Sequence, residues 1–263
     1  MGSTALGIIR LFLYLLLIMA IVIPQSLALA LRLEARRWLP VLFHRVCIKI
    51  FGIKVVVVGQ QSRDKPTLFV SNHVSYLDIE VLGSLIAGSF IAKSEVASWP
   101  LYGWLARLQE TVFINRKAKR EAAQQGESLT DRLTLGDCLI LFPEGTSSDG
   151  NRVLPFKTAL FAIASQRIDD RPLTIQPVSL TPVALDNIPL GRLLRPLYAW
   201  YGDMDLGPHL WQFAKLGNVT VVVEFHPPVT VGDAGSRKAL AEQCWRAVHG
   251  GVARAVAGRA LAA

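Results

Sequence analysis

The sequence predicts an α/β fold with a mixed, largely parallel central sheet covered by helices, preceded by N-terminal membrane-associating helices. Short runs rich in β-branched residues alternate with helical stretches along the chain, which is typical of a sheet with helices on its faces. Hydrophobic residues make up 51% of the 263 residues and charged residues 18%, which is more apolar than an average soluble domain. This length suits one large core, so we divide the chain into N-terminal helices at 1–52 and one globular domain at 53–263.

The first element is an apolar run, Leu11–Ile23, which reaches nineteen residues when Arg10 and Ala5–Ile9 are included. That length is just enough for one membrane helix, and Arg10 is expected to reach toward the lipid headgroups. A secretory signal with a cleavage site at Ala28–Ala30 is the alternative. Basic residues after the run favour the membrane helix, with the rest of the chain on the cytoplasmic side. These residues are Arg32, Arg36, Arg37, Arg45 and Lys49.

The second element is a helix over Leu27–Phe51, with a kink predicted at Pro40 and an end at Gly52. Its apolar and polar residues separate only loosely into two faces. We interpret it as a helix that lies in the membrane interface, and the alternative is a core helix whose basic residues face solvent.

The remaining elements alternate between strand and helix. Runs of β-branched and aromatic residues predict the strands, and helical periodicity followed by a breaker predicts the helices. The predicted strands are Lys54–Val58, Thr67–Ser71, Ser89–Lys93, Thr111–Asn115, Cys138–Phe142, Leu173–Leu180 and Val219–Phe225. The predicted helices are Tyr76–Ile86, Lys117–Leu135, Thr158–Gln166 and one that begins at Ser236.

Charge and cysteine content narrow the class of partner. The net charge of +8 predicts attraction to polyanions, and the sequence has no recognisable nucleic-acid-binding motif, so a lipid surface is the expected partner. The three cysteines, Cys47, Cys138 and Cys244, are isolated from one another and form no Cys-x-x-Cys pair. They predict buried, reduced thiols in a reducing compartment rather than a metal or redox site.

The strongest catalytic candidate is a histidine followed five positions later by an aspartate, His73 and Asp78. They fall where the predicted strand Thr67–Ser71 gives way to a helix. A carboxylate in the first helical turn can hold one imidazole nitrogen and leave the other to take a proton. The alternative is a turn in which the aspartate serves only the helix dipole.

Three further features lie at predicted strand ends or close to them. The turn Phe142–Gly150 contains Glu144 and Gly145 and can present backbone N–H groups to a polar ligand, although its composition also suits an ordinary loop. Arg116 ends an apolar strand and can bind a phosphate with two hydrogen bonds. Lys157 opens a helix near the same turn and is otherwise a surface lysine.

Taken together, these motifs resemble those of the glycerolipid acyltransferase family, specifically the bacterial 1-acylglycerol-3-phosphate acyltransferases. The resemblance covers Val55–Val183, and Ile91–Leu105 is similar to the segment that this family carries between its first two motifs. The motifs are His-x-x-x-x-Asp from His73, Phe-Ile-x-Arg ending at Arg116, Phe-Pro-Glu-Gly-Thr from Phe142, and a strand that contains Pro177.

The resemblance implies an O-acyltransferase that moves a fatty acyl group from acyl-CoA or acyl carrier protein to the hydroxyl of 1-acylglycerol-3-phosphate, forming phosphatidic acid without a cofactor or metal. His73 is implied to deprotonate that hydroxyl and Asp78 to orient His73. The implied acceptor-binding residues are Arg116, Glu144, Gly145 and Thr146. The family usually has glycine where this chain has Glu110 and arginine where it has Ser147.

The second departure bears on the acceptor. A lost guanidinium contact to phosphate removes about 1.5 to 3 kcal/mol, for which Arg152 or Lys157 would have to compensate. The alternative acceptor is a lysolipid that lacks a free phosphate, such as a lyso-ornithine lipid. A noncatalytic lipid-binding protein with the same fold is the less favoured alternative, since the His73–Asp78 pair is intact.

Overall fold

The structure, a computed structural model, describes residues 2–114, 129–168 and 170–259 and confirms the predicted α/β fold. The strands are β1 (Ile53–Gly59), β2 (Thr67–Ser71), β3 (Gly88–Lys93), β4 (Val112–Ile114), β5 (Cys138–Leu141), β6 (Arg167–Ile168), β7 (Arg171–Pro172), β8 (Thr174–Leu185), β9 (Ile188–Pro189) and β10 (Val219–Phe225). The helices are α1 (Thr4–Ala30), α2 (Ala35–Ile50), α3 (Leu77–Leu85), α4 (Tyr102–Leu108), α5 (129–134), α6 (Leu206–Lys215), α7 (Val231–Ala234) and α8 (Arg237–Val256). Three 3₁₀ segments cover Ser94–Ser98, Thr158–Ser165 and Arg195–Leu197.

The main sheet runs in the order β1-β10-β8-β2-β5-β3-β4, with β9 paired to β8. The neighbours from β8 to β4 are parallel, whereas β10 is antiparallel to β8 and parallel to β1. The carboxyl ends of β2, β5 and β3 therefore meet at one edge of the sheet, which is where ligands gather in open α/β sheets.

Strand β2 shows why helices cover both faces of the sheet. All five of its residues are buried, as expected of a central parallel strand rather than one with a solvated face. Leu68 and Val70 pack in one core cluster with residues of α8, and Phe69 packs in the other with residues of α3 and α6. The strand preceding His73 is therefore held rigidly from both sides.

The predicted helix Leu27–Phe51 is wrong, because the structure breaks it into α1 and α2. At the break, Leu31 caps α1, Arg32 has a positive φ of 51°, and the N–H of Leu33 donates to the carbonyl of Ala28 at 2.8 Å. This is the usual left-handed helix end with arginine in the place of the usual glycine, so the sequence carried little sign of it. Pro40 lies inside α2.

Two other predicted helices differ from the elements that the structure shows. The predicted helix Thr158–Gln166 is a 3₁₀ segment over Thr158–Ser165. Of the predicted helix Lys117–Leu135, residues 117–128 lie outside the described residues, and 129–134 are helical. The other predicted strands and helices are present, with ends that differ by a few residues.

Arg10 does not reach toward lipid headgroups, so that prediction is wrong. Its side chain is buried, and Nη1 donates to the carbonyls of Leu216 at 2.6 Å and Ala214 at 3.3 Å. These carbonyls end α6, where the last turn of a helix lacks intrahelical donors. Arg10 therefore docks α1 onto the globular domain.

The opposite face of the α1–α2 hairpin (residues 4–50) is apolar and exposed. Helix α1 is long and apolar enough to cross a membrane, the one such helix among the described residues. Its exposed large apolar side chains extend along its length and continue onto α2. They are Ile8, Ile9, Phe12, Leu13, Leu15, Leu16, Met19, Ile23 and Leu27 of α1, and Trp38 and Leu42 of α2.

Candidate active site

The catalytic turn (Asn72–Asp78) joins the carboxyl end of β2 to the first turn of α3. Asn72 fixes its start, because its side-chain amide donates to the carbonyl of Leu180 at 2.9 Å and accepts from the N–H of Leu180 at 2.8 Å. Leu180 belongs to the neighbouring strand β8. The chain must then turn out of the sheet, which places His73 at the ligand-binding edge.

The structure brings His73 and Asp78 together, with Nδ1 2.9 Å from Oδ2. The same Oδ2 accepts the N–H groups of Val74 at 2.6 Å and Ser75 at 2.9 Å, and Oδ1 accepts the hydroxyl of Tyr198 at 3.1 Å. Asp78 is fully buried. Because the carboxylate accepts a hydrogen from Nδ1, the lone pair of the imidazole is on Nε2.

The imidazole is held in one orientation by an aromatic stack. His73 stacks on Phe142 with ring centroids 4.1 Å apart and an interplanar angle of 16°, and Phe142 stacks in turn on Phe90 at 6.0 Å. Phe142 immediately follows β5 and Phe90 belongs to β3, so three adjacent strands position the ring. The side chain of His73 remains 20% exposed and can meet a substrate.

Glu144 occupies a different position from the acceptor-binding one that the sequence suggested. Its Oε1 accepts the N–H of His73 at 3.0 Å and its Oε2 accepts the N–H of Leu154 at 3.1 Å. Glu144 is 2% exposed, and this burial raises the pKa of its carboxyl to about 8. The side chain therefore holds two loops together beneath the dyad.

A cavity of about 430 Å³ opens at His73 and is lined largely by apolar side chains. Its size falls within the range of small-molecule sites. The hairpin contributes Tyr14, Ile21, Gln25, Pro40, Phe43 and His44 to its wall, and Phe51 follows directly after α2. The globular domain contributes, among others, Tyr76, Ile79, Glu80, Phe90, Ile91, Val96, Trp99, Leu105, Leu108, Phe142, Trp200, Leu206 and Leu210.

The remaining predicted site residues fall in three places. Gly145 and Thr146 line the cavity, and Ser147 lies beside them in its wall. Lys157 is exposed and is not among the described residues that line the cavity, so the structure does not bring its side chain to the dyad. Arg116 lies outside the described residues.

Sequence reasoning missed two residues of the site. Lys93 ends β3 and lines the cavity, where it is the only lysine or arginine among the described lining residues. It belongs to the segment Ile91–Leu105 noted above, which was its only sequence signal. Tyr198, which donates to Asp78, comes from an aromatic-rich stretch that matched no motif.

The structure also accounts for Glu110, where the family usually has glycine. Glu110 has a positive φ of 56°, a conformation that favours glycine. Its carboxylate accepts two hydrogen bonds from Arg36 of α2, at 2.6 and 2.7 Å, and lies 3.5 Å from Arg132. The ion pairs thus compensate for the strained backbone and attach the hairpin to the domain.

A second histidine–carboxylate pair lies in the cavity wall. Nδ1 of His44 on α2 is 2.6 Å from Oε2 of Glu80 on α3. Gly83 makes room for the imidazole, since a Cβ there would come within 2.7 Å of Nε2 of His44. The position of His44 between α2 and α3 fits a structural role. His209, for which the sequence offered no partner, pairs with the hydroxyl of Tyr76 at 3.1 Å.

The known proteins that this chain resembles are acyltransferases. The family model described as Acyltransferase matches residues 54–181. The chain is 41% identical to the lyso-ornithine lipid O-acyltransferase of Brucella abortus, over 97% of this chain and 98% of that protein. It is 32% identical to the 1-acyl-sn-glycerol-3-phosphate acyltransferase of Neisseria gonorrhoeae, over 74% of each chain. The crystal structure of the 1-acyl-sn-glycerophosphate acyltransferase of Thermotoga maritima superimposes with a TM-score of 0.68 at 24% identity, over 95% of this chain and 94% of that one.

Proposed function

Because this chain belongs to the Acyltransferase family and is a lysolipid O-acyltransferase, we propose that it transfers a fatty acyl group from a thioester to the free hydroxyl of a lyso-ornithine lipid. The observation that carries the chemistry is the His73–Asp78 pair at the mouth of an apolar cavity. The proposed acceptor is the alternative named from the sequence, and it replaces our first expectation, 1-acylglycerol-3-phosphate.

The dyad supports a direct transfer by general-base catalysis. Nε2 of His73 takes the proton of the acceptor hydroxyl, and the hydroxyl oxygen attacks the thioester carbonyl carbon. The tetrahedral intermediate then expels the thiolate, which takes the proton back from Nε2. Asp78 holds Nδ1–H throughout and stabilises the imidazolium that forms between the two steps. No acyl-enzyme is formed in this scheme.

Two observations favour an acceptor without a phosphate monoester. Ser147, in the place of the usual family arginine, lies in the cavity wall beside Thr146, so this part of the wall offers hydroxyls rather than a guanidinium. The lyso-ornithine lipid O-acyltransferases of Brucella abortus and Rhodobacter capsulatus are 41% and 42% identical to this chain. The 1-acyl-sn-glycerol-3-phosphate acyltransferase of Neisseria gonorrhoeae is 32% identical. Lys93 remains available to pair with the carboxylate of ornithine.

The same cavity suits the fatty acyl chain of the donor. Its wall is formed by apolar side chains of α1, α2 and α4, and each methylene moved from water into such a wall contributes about 0.8 kcal/mol. The thioester carbonyl would lie at the mouth beside His73. We propose acyl-CoA or acyl carrier protein as the donor, and no cofactor or metal takes part.

The α1–α2 hairpin supports attachment to one membrane leaflet. Helix α1 is 27 residues, about 40 Å, long, and its inner face is fixed to α2, α4 and α6, so a crossing perpendicular to the bilayer would pull the domain into the hydrocarbon. We propose that its exposed face enters the cytoplasmic leaflet from the side and that residues 53–263 face the cytoplasm. Phe12→Glu with Leu16→Glu should then release the protein from vesicles, whereas continued flotation would contradict it.

An acceptor panel tests the function. Purified full-length protein is incubated with one labelled acyl thioester and either lyso-ornithine lipid or lysophosphatidic acid. We expect label in ornithine lipid, because Ser147 stands in the cavity wall where the family usually has arginine. Ser147→Arg should raise the share of label in phosphatidic acid, with Gln243→Arg on the exposed surface of α8 as the control. Equal or greater labelling of phosphatidic acid by the unaltered protein would refute the acceptor assignment.

A further inference from the structure

Glu80 is the one acidic residue among the described residues that line the cavity. Its side chain is 16% exposed, and its ion-pair contact within the described parts of the chain is with the imidazole of His44. The thiol of Cys47, a weak neutral donor, lies beside the carboxylate. A neutral imidazole that donates from Nδ1 leaves the negative charge of Glu80 uncompensated. A partly buried carboxylate in a largely apolar wall is costly unless a cation joins it.

Two acceptor atoms of the His44–Glu80 pair keep accessible surface. Nδ1 of His44 faces Oε2 of Glu80 at 2.6 Å, which leaves Nε2 of the imidazole and Oε1 of the carboxylate. Neither atom receives a hydrogen bond from a nitrogen or oxygen of the described residues, and neither is one of the described polar atoms that are buried without a partner. Both atoms are therefore accessible, and both side chains line the cavity. This part of the wall presents two acceptors, one of them charged.

These two acceptors fit a primary ammonium group. An ammonium has three donors and no acceptor, so it can bond to both atoms and neutralise the carboxylate. A phosphate would meet like charge and would be repelled. A neutral hydroxyl would leave the charge of Glu80 uncompensated. Burial and, after it, the charge of Glu80 raise the pKa of the Tyr102 hydroxyl to about 12, so an aromatic ring lies near the carboxylate as well. Aromatic rings also attract cations.

Glu80 lies where the headgroup of an acceptor can reach it. It follows Tyr76 by about one turn of helix, roughly 6 Å along the axis, and both side chains line the cavity that opens at His73. Lys93, at the end of β3, lines the same cavity. A headgroup that carries one carboxylate and one ammonium therefore finds an oppositely charged partner for each.

We propose that Glu80, oriented by His44, binds the side-chain ammonium of ornithine in the headgroup of the acceptor. The proposal rests on the proposed function and adds the residue that distinguishes an aminolipid from a phosphate-bearing lysolipid. Glu80 sets specificity and takes no part in the proton transfer at His73. The apolar side chains of α1 and α4, among them Ile21 and Leu105, remain for the acyl chain.

The experiment compares two lysolipids that differ only in the ammonium group. One is lyso-ornithine lipid, and the other is its analogue with norvaline in the place of ornithine. Both are presented in detergent micelles together with one labelled acyl thioester. We expect kcat/KM to be about tenfold higher for the ornithine lysolipid. A water bound to Glu80 and His44 would serve both acceptors alike, so equal values would overturn the proposal.

Glu80→Gln should bring this ratio to about one, because glutamine keeps the shape and an acceptor for His44 but carries no charge. Glu242→Gln on the exposed face of α8 is the matched control and should keep the ratio. A ratio is used because a merely structural role of Glu80, in joining α3 to α2, would lower both values together. A ratio that survives in Glu80→Gln would overturn the proposal, however active the variant is.

Binding of the two lysolipids without an acyl donor separates this proposal from the proposed function. The purified protein should bind the ornithine lysolipid about tenfold more tightly than the norvaline one, and Glu80→Gln should bind both equally. If this difference is found but no acyl group is transferred to any lysolipid, the proposed function fails and the ammonium site stands. If both lysolipids bind and react equally well, the ammonium site alone fails.

Discussion

The catalytic turn and the α1–α2 hairpin both bury polar side chains, but they find partners at different distances along the chain. In the catalytic turn, Asp78 binds His73, Val74 and Ser75, which are five, four and three residues away. In the hairpin, Arg10 binds a carbonyl 206 residues away and Gln25 one 83 residues away. The contacts between His73 and Asp78 are therefore local, with Tyr198 as a distant further partner of Asp78, whereas long-range contacts dock the hairpin.

This difference predicts which property each substitution alters. A change at His73 should lower turnover and leave the fold intact, because the hydrogen bond that its imidazole makes is to Asp78, five residues away. A change in the hairpin should lower stability first, because each contact it removes joins distant segments. Substitutions at four residues test this division.

The largest effect is expected for His73→Ala. Removing a general base should lower turnover by about 10² to 10⁴, while the unfolding midpoint stays close to that of the unaltered protein. Transfer of labelled acyl groups and thermal unfolding measure the two quantities. His249→Ala, at an exposed histidine of α8, is the control and should change neither. If His73→Ala kept the turnover of the unaltered protein, His73 would not be the general base.

Glu144 lies outside the catalytic turn but supports it. Its carboxylate accepts the N–H groups of Leu154 and of the distant His73. Burial raises the folded pKa of its carboxyl from the ordinary 4.5 to about 8. Between these pH values the folded state binds more protons than the unfolded state, so the unfolding free energy falls as pH rises. The fall should be about 4 kcal/mol from pH 4.5 to 8 and should be absent in Glu144→Gln. Parallel pH profiles of the two proteins would contradict this.

Arg10→Met tests the long-range docking of α1. The substitution keeps an unbranched side chain but leaves the carbonyls of Ala214 and Leu216 without their charged donor. We expect a loss of about 2 to 3 kcal/mol in urea unfolding carried out in detergent. Lys238→Met on the exposed surface of α8 should cost far less. Equal losses in the two variants would mean that Arg10 does not dock the helix.

The smallest effect is expected at Glu110, where two substitutions separate the contribution of the ion pair to stability from that of backbone strain. Glu110→Ala removes the partner of Arg36 and keeps a side chain at positive φ, and it should cost about 2 kcal/mol. Glu110→Gly removes the same charge but relieves the backbone, so it should be more stable than the alanine variant by about 1 kcal/mol. Denaturant unfolding measures both. If the glycine variant were less stable than the alanine variant, the claim that the backbone at Glu110 is strained would be refuted.

The same division explains how much the sequence could predict. The His73–Asp78 pair was predictable because its members share one turn, and the strand before it is a run of β-forming residues. Arg10 could not be placed, since its partners are backbone carbonyls that leave no mark in the sequence. Glu144 was assigned to the acceptor by the family resemblance, and the motif gives no sign that its carboxylate is buried and accepts two backbone N–H groups. The end of α1 was missed because Arg32 takes the place of a glycine.

The Arg10 contact also fixes an order of events during synthesis. Helix α1 leaves the ribosome before the sheet, and the carbonyl that Arg10 binds follows 206 residues later, about 10 to 40 s at ordinary translation rates. For that interval the nascent helix carries an apolar surface together with an unneutralised guanidinium. The water–lipid boundary accommodates both, since the charge can stay hydrated while the apolar side chains enter the lipid. With the membrane attachment proposed above, the growing chain would be held at the bilayer surface before its sheet forms.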